Sequence, residues 1–335
     1  MLTRPETKGR GGSFEISTLG GRELPLVVSP ERAGVSLLDA APRLVATAEH
    51  HLLDSGGVLF RGFDVPGVDA FRAFAAGFGK PLLGYEFGST PRSKVGDGVY
   101  SSTEYPAHQH IPLHNEQAYC RKWPMWIWFY CAISAPHGGE TPIADSREVY
   151  RRVPTRVRER LIERGVMYVR NFGGGLDVPW PEVFDTTDRG EVEAYCRQQG
   201  IICEWKDDGE LRTRQVCQVV ARHPQTKAWC WFNQAHLFHV SGLEVEVRSA
   251  LLDAVDPEDL PRNVYYADGG VIEDSLLDEV RGVLDEVKVV FPWLPGDILM
   301  LDNMLSAHGR TPFKGPRRIV VAMADAYSEG SAGLA

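Results

Sequence analysis

The fold is decided by two stretches, Pro112-Leu-His-Asn-Glu116 and Asp302-Asn-Met-Leu-Ser-Ala-His308. The first stretch contains a His and a Glu two residues apart, and the second ends on another His. On an extended strand, side chains at i and i+2 point to the same face, so His114 and Glu116 can reach one metal ion. A third ligand so much later in the chain must come from a strand that folds back beside the first, as the strands of a jelly roll do.

Two His side chains and one carboxylate on one side of an iron ion form the facial triad of non-heme Fe(II) oxygenases. A His-x-Glu triplet alone is a weak signal, because most such triplets lie on solvated surface or in satisfied polar pairs. The sequence around the later His strengthens the signal, since 295–302 is typical of a turn and a strand, and 317–323 of a strand that carries a cation. We therefore predict that His114, Glu116 and His308 bind Fe(II).

Five informative stretches are spread along the chain: IPLHNE at 111–116, HGGETPIAD at 137–145, RTRQ at 212–215, WFNQAHLFH at 231–239 and ILMLDNMLSAHGRTPFKGPRRIVVAMA at 298–324. With them the chain resembles the TauD/TfdA-like superfamily of Fe(II)/2-oxoglutarate-dependent dioxygenases. Within that superfamily it is most similar to the amino-acid hydroxylase branch found in nonribosomal peptide pathways. The resemblance covers residues from about 56 to 326. The expected fold is mainly β with peripheral helices, a double-stranded β-helix (jelly roll, cupin-like).

The resemblance also implies how 2-oxoglutarate is held, with its keto group and C1 carboxylate on iron and its C5 carboxylate on the protein. In similar family members the Thr of the Gly-Gly-acid-Thr motif hydrogen-bonds 2-oxoglutarate, so this role passes to Thr141, for which an ordinary turn residue is the competing interpretation. A bidentate Arg is the best partner for a carboxylate, and on a strand only one of Arg317 and Arg318 faces the barrel interior. The family motif points to Arg318, with Arg310 as the next candidate.

A dense group of polar residues lies among aromatic residues in the second half of the chain. The polar residues are Arg212, Arg214, Asn233, Gln234 and His236, and their aromatic neighbours include Trp231 and Phe232. An apolar pocket with a few convergent polar groups is the usual form of a small-molecule site. For any single residue, a surface strand of alternating polarity is the simpler interpretation, but for the group as a whole we predict contact with the substrate.

Apolar periodicity predicts helices around the barrel at 41–55, 66–77, 243–255 and 273–286, of which the last two are expected to pack on the barrel. Residues 80–111 are rich in Gly and Pro and form either a binding loop or lid, or a tolerated surface insertion. No repeat, low-complexity tract or linker divides the chain. We therefore predict a flexible N-terminus at 1–12 and a single dioxygenase domain at 13–335.

Composition argues against several classes of function. The 335 residues carry a net charge of −9, so a general attraction to nucleic acid or to anionic membranes is not expected. Six Cys occur without CxxC or zinc-finger spacing, which is typical of reduced thiols, and no apolar run reaches the length of a membrane span. The N-terminus has no apolar signal region. We expect a cytoplasmic protein, and its oligomeric state is left open.

The resemblance implies an enzyme that uses Fe(II), 2-oxoglutarate and O2, releases succinate and CO2, and hydroxylates an unactivated C–H. Glu116 favours hydroxylation over halogenation, because related halogenases lack this carboxylate, whereas desaturation and cyclisation need the same ligands. The expected substrate is an amino acid or a derivative, free or bound to a peptidyl carrier protein, in secondary metabolite (antibiotic) biosynthesis. Two alternatives stay open: a sulfonate or other small organic acid as the substrate, and a non-catalytic jelly-roll binding protein.

Overall fold

The computed structural model describes residues 14–84, 92–102, 105–173, 178–207 and 209–328, so the N-terminus predicted to be flexible lies outside the described residues. The strands are β1 (Phe14–Leu19), β2 (Arg22–Pro30), β3 (Gly57–Phe60), β4 (Lys94–Gly96), β5 (Val99–Ser101), β6 (Ile111–His114), β7 (Lys122–Ile133), β8 (His137–Gly138), β9 (Ile143–Asp145), β10 (Val166–Phe172), β11 (Ile202–Trp205), β12 (Leu211–Cys217), β13 (Val220–Arg222), β14 (Trp229–Trp231), β15 (Arg262–Tyr266), β16 (Ile298–Asp302), β17 (Ser306–Arg310), β18 (Phe313–Lys314) and β19 (Arg318–Ser328). The α-helices are α1 (Leu37–Ser55), α2 (Val68–Ala76), α3 (Ser146–Arg152), α4 (Thr155–Arg164), α5 (Trp180–Phe184), α6 (Arg189–Gln199), α7 (Ala235–Phe238), α8 (Val245–Ala254) and α9 (Asp274–Val287). Short 3-10 helices cover Val240–Gly242 and Pro257–Asp259.

The main sheet has eight strands in the order β1-β2-β3-β16-β7-β19-β5-β4. Successive side chains of each strand point to opposite faces of the sheet. On β16, Met300 packs in one buried cluster with Trp128 of β7, whereas Leu299 packs in another cluster with Phe129 of β7. Both faces of the sheet are therefore covered, which explains why its central strands are nearly continuous apolar runs.

A smaller sheet, β6-β17-β9, lies opposite the inner face of the main sheet. Ile143 of β9 belongs to the same buried cluster as Leu299 and Phe129 of the main sheet. The two sheets thus enclose a shared core, and the strands that carry the predicted metal ligands form its second wall. The prediction of a mainly β jelly roll with peripheral helices is confirmed.

Helices α1 and α2 cover the outer face of the main sheet. The side chain of Ser36 accepts a hydrogen bond from the first turn of α1, and the helix ends at Gly56, which adopts a left-handed φ of 77°. Leu44 of α1 and Phe74 of α2 lie in the buried cluster that also contains Met300. Both helices predicted in the first 80 residues are confirmed.

A separate four-stranded sheet, β11-β12-β10-β15 (the second sheet), packs with α3, α4, α6 and α9 around a further buried cluster. The helix predicted at 273–286 is confirmed as α9, which buries Leu277 among other apolar residues. The helix predicted at 243–255 forms as α8 but buries none of its residues, so the prediction that it packs on the barrel is wrong. Its Val245 and Val247 are two positions apart, and such residues do not share a helix face.

Three further features bear on organisation and location. The prediction of one domain over 13–335 stays a prediction. All six Cys side chains are free thiols. Within the part of the chain that the structure describes, no helix is both long enough and apolar enough to cross a membrane.

Candidate metal centre

The three predicted metal ligands lie together where β6 and β17 pair. His114 is the last residue of β6, and His308 lies in the middle of β17. The strands are antiparallel with the two His directly opposite each other, and the centroids of their imidazole rings are 4.6 Å apart. One ligand atom from each of His114, Glu116 and His308 lies within 4.8 Å of the other two. The fold therefore joins residues that are far apart in the sequence.

Glu116 reaches this cluster from a turn rather than from a strand. β6 ends at His114, and residues 116–119 form a turn in which Gln117 adopts a positive φ of 56°. The sequence pattern predicts that His114 and Glu116 share one face of an extended strand. The two side chains do converge, but Glu116 lies beyond the ladder that fixes His114, so its backbone is held by other contacts.

Hydrogen bonds and burial set the protonation states of the donors. Nδ1 of His114 lies 2.8 Å from the backbone oxygen of Pro112. Because a carbonyl oxygen only accepts, Nδ1 carries the proton and Nε2 keeps its lone pair. Burial and the neighbouring His308 lower the pKa of His114 to about 3, so its ring is neutral near pH 7. Burial alone would raise the pKa of Glu116, but Arg92 and the two His side chains hold it well below its usual value.

A buried cation, Arg92, contacts the predicted ligand Glu116. Its Nη2 donates a hydrogen bond of 2.7 Å to Oε2 of Glu116, and the two side chains are only 3% and 5% exposed. The same carboxylate oxygen lies 3.7 Å from Nε2 of His308. The sequence does not predict Arg92 as a site residue, because it lies in the irregular segment 80–111, where no periodicity shows which side chains turn inward.

Two residues of the triad, His114 and His308, line a cavity of about 380 Å³ between the two facing sheets. Its lining includes His114, His308, Thr141, the apolar Phe129, Ile319 and Val321, and the cations Arg92, Arg310 and Arg317. Two imidazoles and an ionised carboxylate whose donor atoms converge are the donor set of non-heme Fe(II) oxygenases, so the residues present fit an iron ion. A larger cavity of about 640 Å³, lined by Trp123 and Tyr195 among others, contains no triad residue.

Thr141 lies on the wall of the triad cavity, where a residue that binds 2-oxoglutarate is expected. Its Oγ1 accepts a hydrogen bond of 3.0 Å from the indole Nε1 of Trp293. Because an indole N–H only donates, the hydroxyl of Thr141 keeps its own proton for a second hydrogen bond. Its role toward 2-oxoglutarate stays a prediction.

The strand that closes the barrel places Arg317, not Arg318, at the cavity. Ile319, Val321 and Arg317 all line the cavity, and Arg317 lies directly before β19. Arg318 begins β19 and is exposed. The expectation that Arg318 faces the interior is thus corrected, because the cavity lining includes Arg317 and not Arg318, two adjacent residues that the motif alone does not distinguish.

Arg317 and Arg310 use their guanidinium groups differently. Nε of Arg317 donates to the backbone oxygen of Gly139 at 2.9 Å, and its Nη1 makes a long contact of 3.4 Å with Ser102. Burial and the neighbouring Arg310 lower the pKa of Arg317 to about 10, which leaves it charged near pH 7. Arg310 donates three hydrogen bonds to backbone oxygens in the segment 105–109. Arg317 is therefore better placed than Arg310 to receive a carboxylate.

The polar residues predicted to contact the substrate do not line the cavity beside the triad. In the second sheet, Arg212 donates a hydrogen bond of 2.5 Å to Oδ1 of Asp259. On the same strand, Arg214 donates one of 2.6 Å to Oε2 of Glu204. The side chain of Asn233 donates to the backbone oxygen of Val219 and accepts from the backbone N–H of Ala235. These side chains bond to acidic side chains and to the backbone, and the prediction that they converge on a pocket is corrected.

Gln234 and His236, also predicted to contact the substrate, bond instead to the backbone around His114. Nε2 of Gln234 donates to the backbone oxygen of Asn115 at 2.7 Å, and Nε2 of His236 donates to that of Leu113 at 2.8 Å. The two acceptors lie on either side of His114. Burial lowers the pKa of His236 to about 4, so its ring is neutral near pH 7. Their contacts with the backbone support the ligand stretch from outside the cavity.

The whole chain was compared with known families. It matches the family described as "Taurine catabolism dioxygenase TauD, TfdA family" over residues 21–323. The matched range includes the triad, Thr141 and Arg317. It also includes both facing sheets of the barrel except the first strand and the last residues of β19.

Two relatives are similar over most of their length. The dapdiamide synthesis protein DdaC of Enterobacter agglomerans is 42% identical over 281 residues, which cover 82% of this chain and 85% of DdaC. A clavaminate synthase-like protein of Arabidopsis thaliana is 32% identical over 321 residues, which cover 90% of this chain and 94% of the relative.

Solved structures share the fold at low sequence identity. PvcB of Pseudomonas aeruginosa, described as an Fe, alpha-ketoglutarate dependent oxygenase from an isonitrile synthetic pathway, has a TM-score of 0.54 at 16% identity, with 98% of each chain covered. A taurine dioxygenase from Burkholderia xenovorans has a TM-score of 0.52 at 18% identity, with 96% of this chain and 98% of that chain covered. From the family match and the two relatives, the chain belongs to the TauD, TfdA family and is a 2-oxoglutarate-dependent non-heme iron dioxygenase.

Proposed function

We propose that this enzyme hydroxylates an unactivated C–H of an amino acid or an amino-acid-derived substrate. The observation that carries the proposal is the cavity between the sheets, which brings His114 and His308 of the triad to the same space as Arg317. Two metal ligands and a half-buried cation that line one cavity are what the joint binding of Fe(II) and a dicarboxylate requires. When bound, iron would activate O2, which is the oxidant, and 2-oxoglutarate, as it is converted to succinate and CO2, would supply two of the electrons that O2 takes up.

The residues of the chain have separate tasks in this proposal. The triad would bind Fe(II) through two imidazoles and one carboxylate. Arg317 receives the C5 carboxylate of 2-oxoglutarate as a charge-assisted hydrogen-bond donor, and Thr141 adds a hydroxyl from the facing wall. The apolar side chains of Ile319 and Val321 exclude water from the part of the cavity that they line.

The substrate class is inferred from the relatives together with the cavity. DdaC is named for dapdiamide synthesis, and at 42% identity it supports a role for this chain in secondary metabolite biosynthesis. The substrate is an amino acid, either free or attached to a peptidyl carrier protein. A cytoplasmic location, where the six free thiols stay reduced, belongs to the same proposal.

A second candidate is a sulfonate or another small organic acid. The family description names taurine catabolism, and the Arg92 side chain on the cavity wall suits a sulfonate as well as a carboxylate. A non-catalytic binding protein is less well supported, because all three metal donors are present and converge.

The test is substrate-dependent turnover with Fe(II), 2-oxoglutarate and O2. Free amino acids, amino acids loaded on a peptidyl carrier protein, and taurine are screened for succinate formation and for a product one oxygen atom heavier. We expect both signals with an amino acid in one of its two forms. Turnover with taurine alone would favour the sulfonate alternative, and folded enzyme that binds no Fe(II) would favour the binding protein.

A further inference from the structure

The backbone of Glu116 is the least supported part of the triad as far as sheet pairing is concerned. His114 and His308 face each other in one antiparallel ladder. Glu116 follows the end of β6 and precedes Gln117, whose φ is 56°. A left-handed residue beside a ligand is a conformation that surrounding contacts must enforce.

The side chain of Asn303 binds both backbone groups of Glu116 itself. Its Oδ1 accepts a hydrogen bond of 2.7 Å from the backbone N–H of Glu116, and its Nδ2 donates one of 2.9 Å to the backbone oxygen of the same residue. Nδ2 also donates to the backbone oxygen of Pro124 at 2.8 Å. The amide thereby uses both of its donors and its acceptor, and it pairs with Glu116 as a neighbouring strand would.

Asn303 is itself held firmly in the stretch that leads to His308. It is 0% exposed and lies directly after β16. Its backbone N–H donates to the oxygen of Met125, and its backbone oxygen accepts from Nδ2 of Asn115. Oδ1 of the preceding Asp302 accepts hydrogen bonds from the backbone N–H groups of Met304 and Leu305. Because the backbone of Asn303 is fixed by these contacts, its side chain holds the backbone of Glu116 in a defined position.

We propose that Asn303 is a positioning residue that sets where the Glu116 carboxylate meets the metal, and so couples the two ligand stretches. This inference rests on the proposed function, because it takes the triad as the Fe(II) site. Groups that orient metal ligands change metal affinity by about 10- to 100-fold when they are removed. Asn303→Ala should therefore weaken Fe(II) binding by that factor, although Asn303 touches no metal.

The chain offers a matched control in Gln218. Its Nε2 donates to the backbone oxygens of Ala118 and Cys120, at 2.8 and 3.2 Å. It is thus a second buried amide that holds the same turn, but at residues that bind no metal. Gln218→Ala should lower thermal stability in the way that Asn303→Ala does, and should leave the affinity for Fe(II) unchanged.

The experiment is an anaerobic Fe(II) titration of the full chain against a chromophoric chelator, with far-UV circular dichroism and melting curves for every variant. Wild type, Asn303→Ala, Glu116→Ala and the double variant form a double-mutant cycle. If Asn303 acts through Glu116, Asn303→Ala should weaken binding in the wild-type background and have no further effect once Glu116 is Ala. Asn303→Ser, which removes less volume, replaces Asn303→Ala in the cycle if the latter does not fold.

Three results would overturn the inference: unchanged Fe(II) affinity in Asn303→Ala, an equal loss in the Glu116→Ala background, or an equal loss in Gln218→Ala. Each of them leaves the proposed function intact, because wild type still binds Fe(II). Folded wild type that binds no Fe(II) would instead remove the proposed function. The two failures are therefore distinguishable in one set of titrations.

Discussion

The triad cavity and the polar cluster at 212–236 are both buried groups of polar side chains, yet they are built in opposite ways. In the cavity, the donor atoms of three residues approach one another from two paired strands and a turn. In the cluster, Arg212 pairs with Asp259, and Gln234 and His236 bond to backbone oxygens. The donor atoms of the first group converge on a point where a ligand can bind, whereas the second group bonds to other parts of the protein.

The comparison shows that a local concentration of polar residues in the sequence does not by itself identify a functional site. Buried polar groups must find partners, and most of them find backbone groups or each other. A polar cluster among aromatic residues is therefore as good a sign of a supporting layer as of a pocket. What distinguishes the triad is that its members come from distant stretches of the chain and that one ligand atom of each lies within 4.8 Å of the other two.

The largest effect is expected from His308→Ala. Loss of one of three ligands should abolish turnover, while the fold is largely kept because the change removes a side chain from a short strand at the cavity edge. Succinate formation and the melting temperature, measured on the same preparation, check both parts. Wild-type turnover in this variant would contradict the triad assignment, and an unfolded variant would move the test to Glu116→Ala.

The next effect separates the two adjacent Arg residues. Arg317→Ala should raise the KM for 2-oxoglutarate by about 10- to 100-fold, since a hydrogen bond to a charged group contributes about 1.5–3 kcal/mol. Arg318→Ala is the matched control and should leave that KM unchanged, because its side chain is exposed. Steady-state kinetics at saturating prime substrate measure both. A raised KM in Arg318→Ala alone would restore the motif-based assignment.

A smaller effect is expected from Gln234 and His236, which bond to the backbone around His114 from outside the cavity. Gln234→Ala and His236→Ala each leave a backbone oxygen beside His114 unsatisfied, which costs about 1–3 kcal/mol of unfolding free energy. Denaturant unfolding should show this loss, and the KM for the prime substrate should stay unchanged. A raised KM with unchanged stability would mean that these residues touch the substrate after all.

The smallest effect is expected from Arg214→Ala. The side chain is partly exposed and pairs with Glu204 at the sheet surface, and such pairs contribute about 0–1 kcal/mol. Neither kcat nor KM should change. A change in kcat or KM without a change in stability would mean that the second sheet contributes to the active site.

The sequence predicts the triad from the spacing of His114 and Glu116 together with the context of His308 and the family resemblance, because the spacing alone is a weak signal. The family motif also points to Thr141, and the structure places this residue on the cavity wall. It does not distinguish Arg317 from Arg318, because the register of β19 shifts at that point and one residue of shift reverses which side chain faces inward.

Other site residues leave no usable pattern in the sequence. Arg92 lies in an irregular segment without periodicity, so nothing local shows that it turns toward Glu116. Asn303 lies within a motif that the sequence singles out, but its two hydrogen bonds to the backbone of Glu116 depend on the tertiary fold. Side chains that bond to backbone groups far along the chain are visible only once the strands are paired.

The central claim, that the triad and Arg317 form one site for iron and 2-oxoglutarate, is tested most directly by an anaerobic absorption spectrum. Fe(II) is added to the folded enzyme, 2-oxoglutarate follows, and the weak visible charge-transfer band of the chelate is recorded. We expect the band in wild type, its loss in His308→Ala, and a higher 2-oxoglutarate requirement for it in Arg317→Ala. No band in well-folded wild type would contradict the iron and 2-oxoglutarate site.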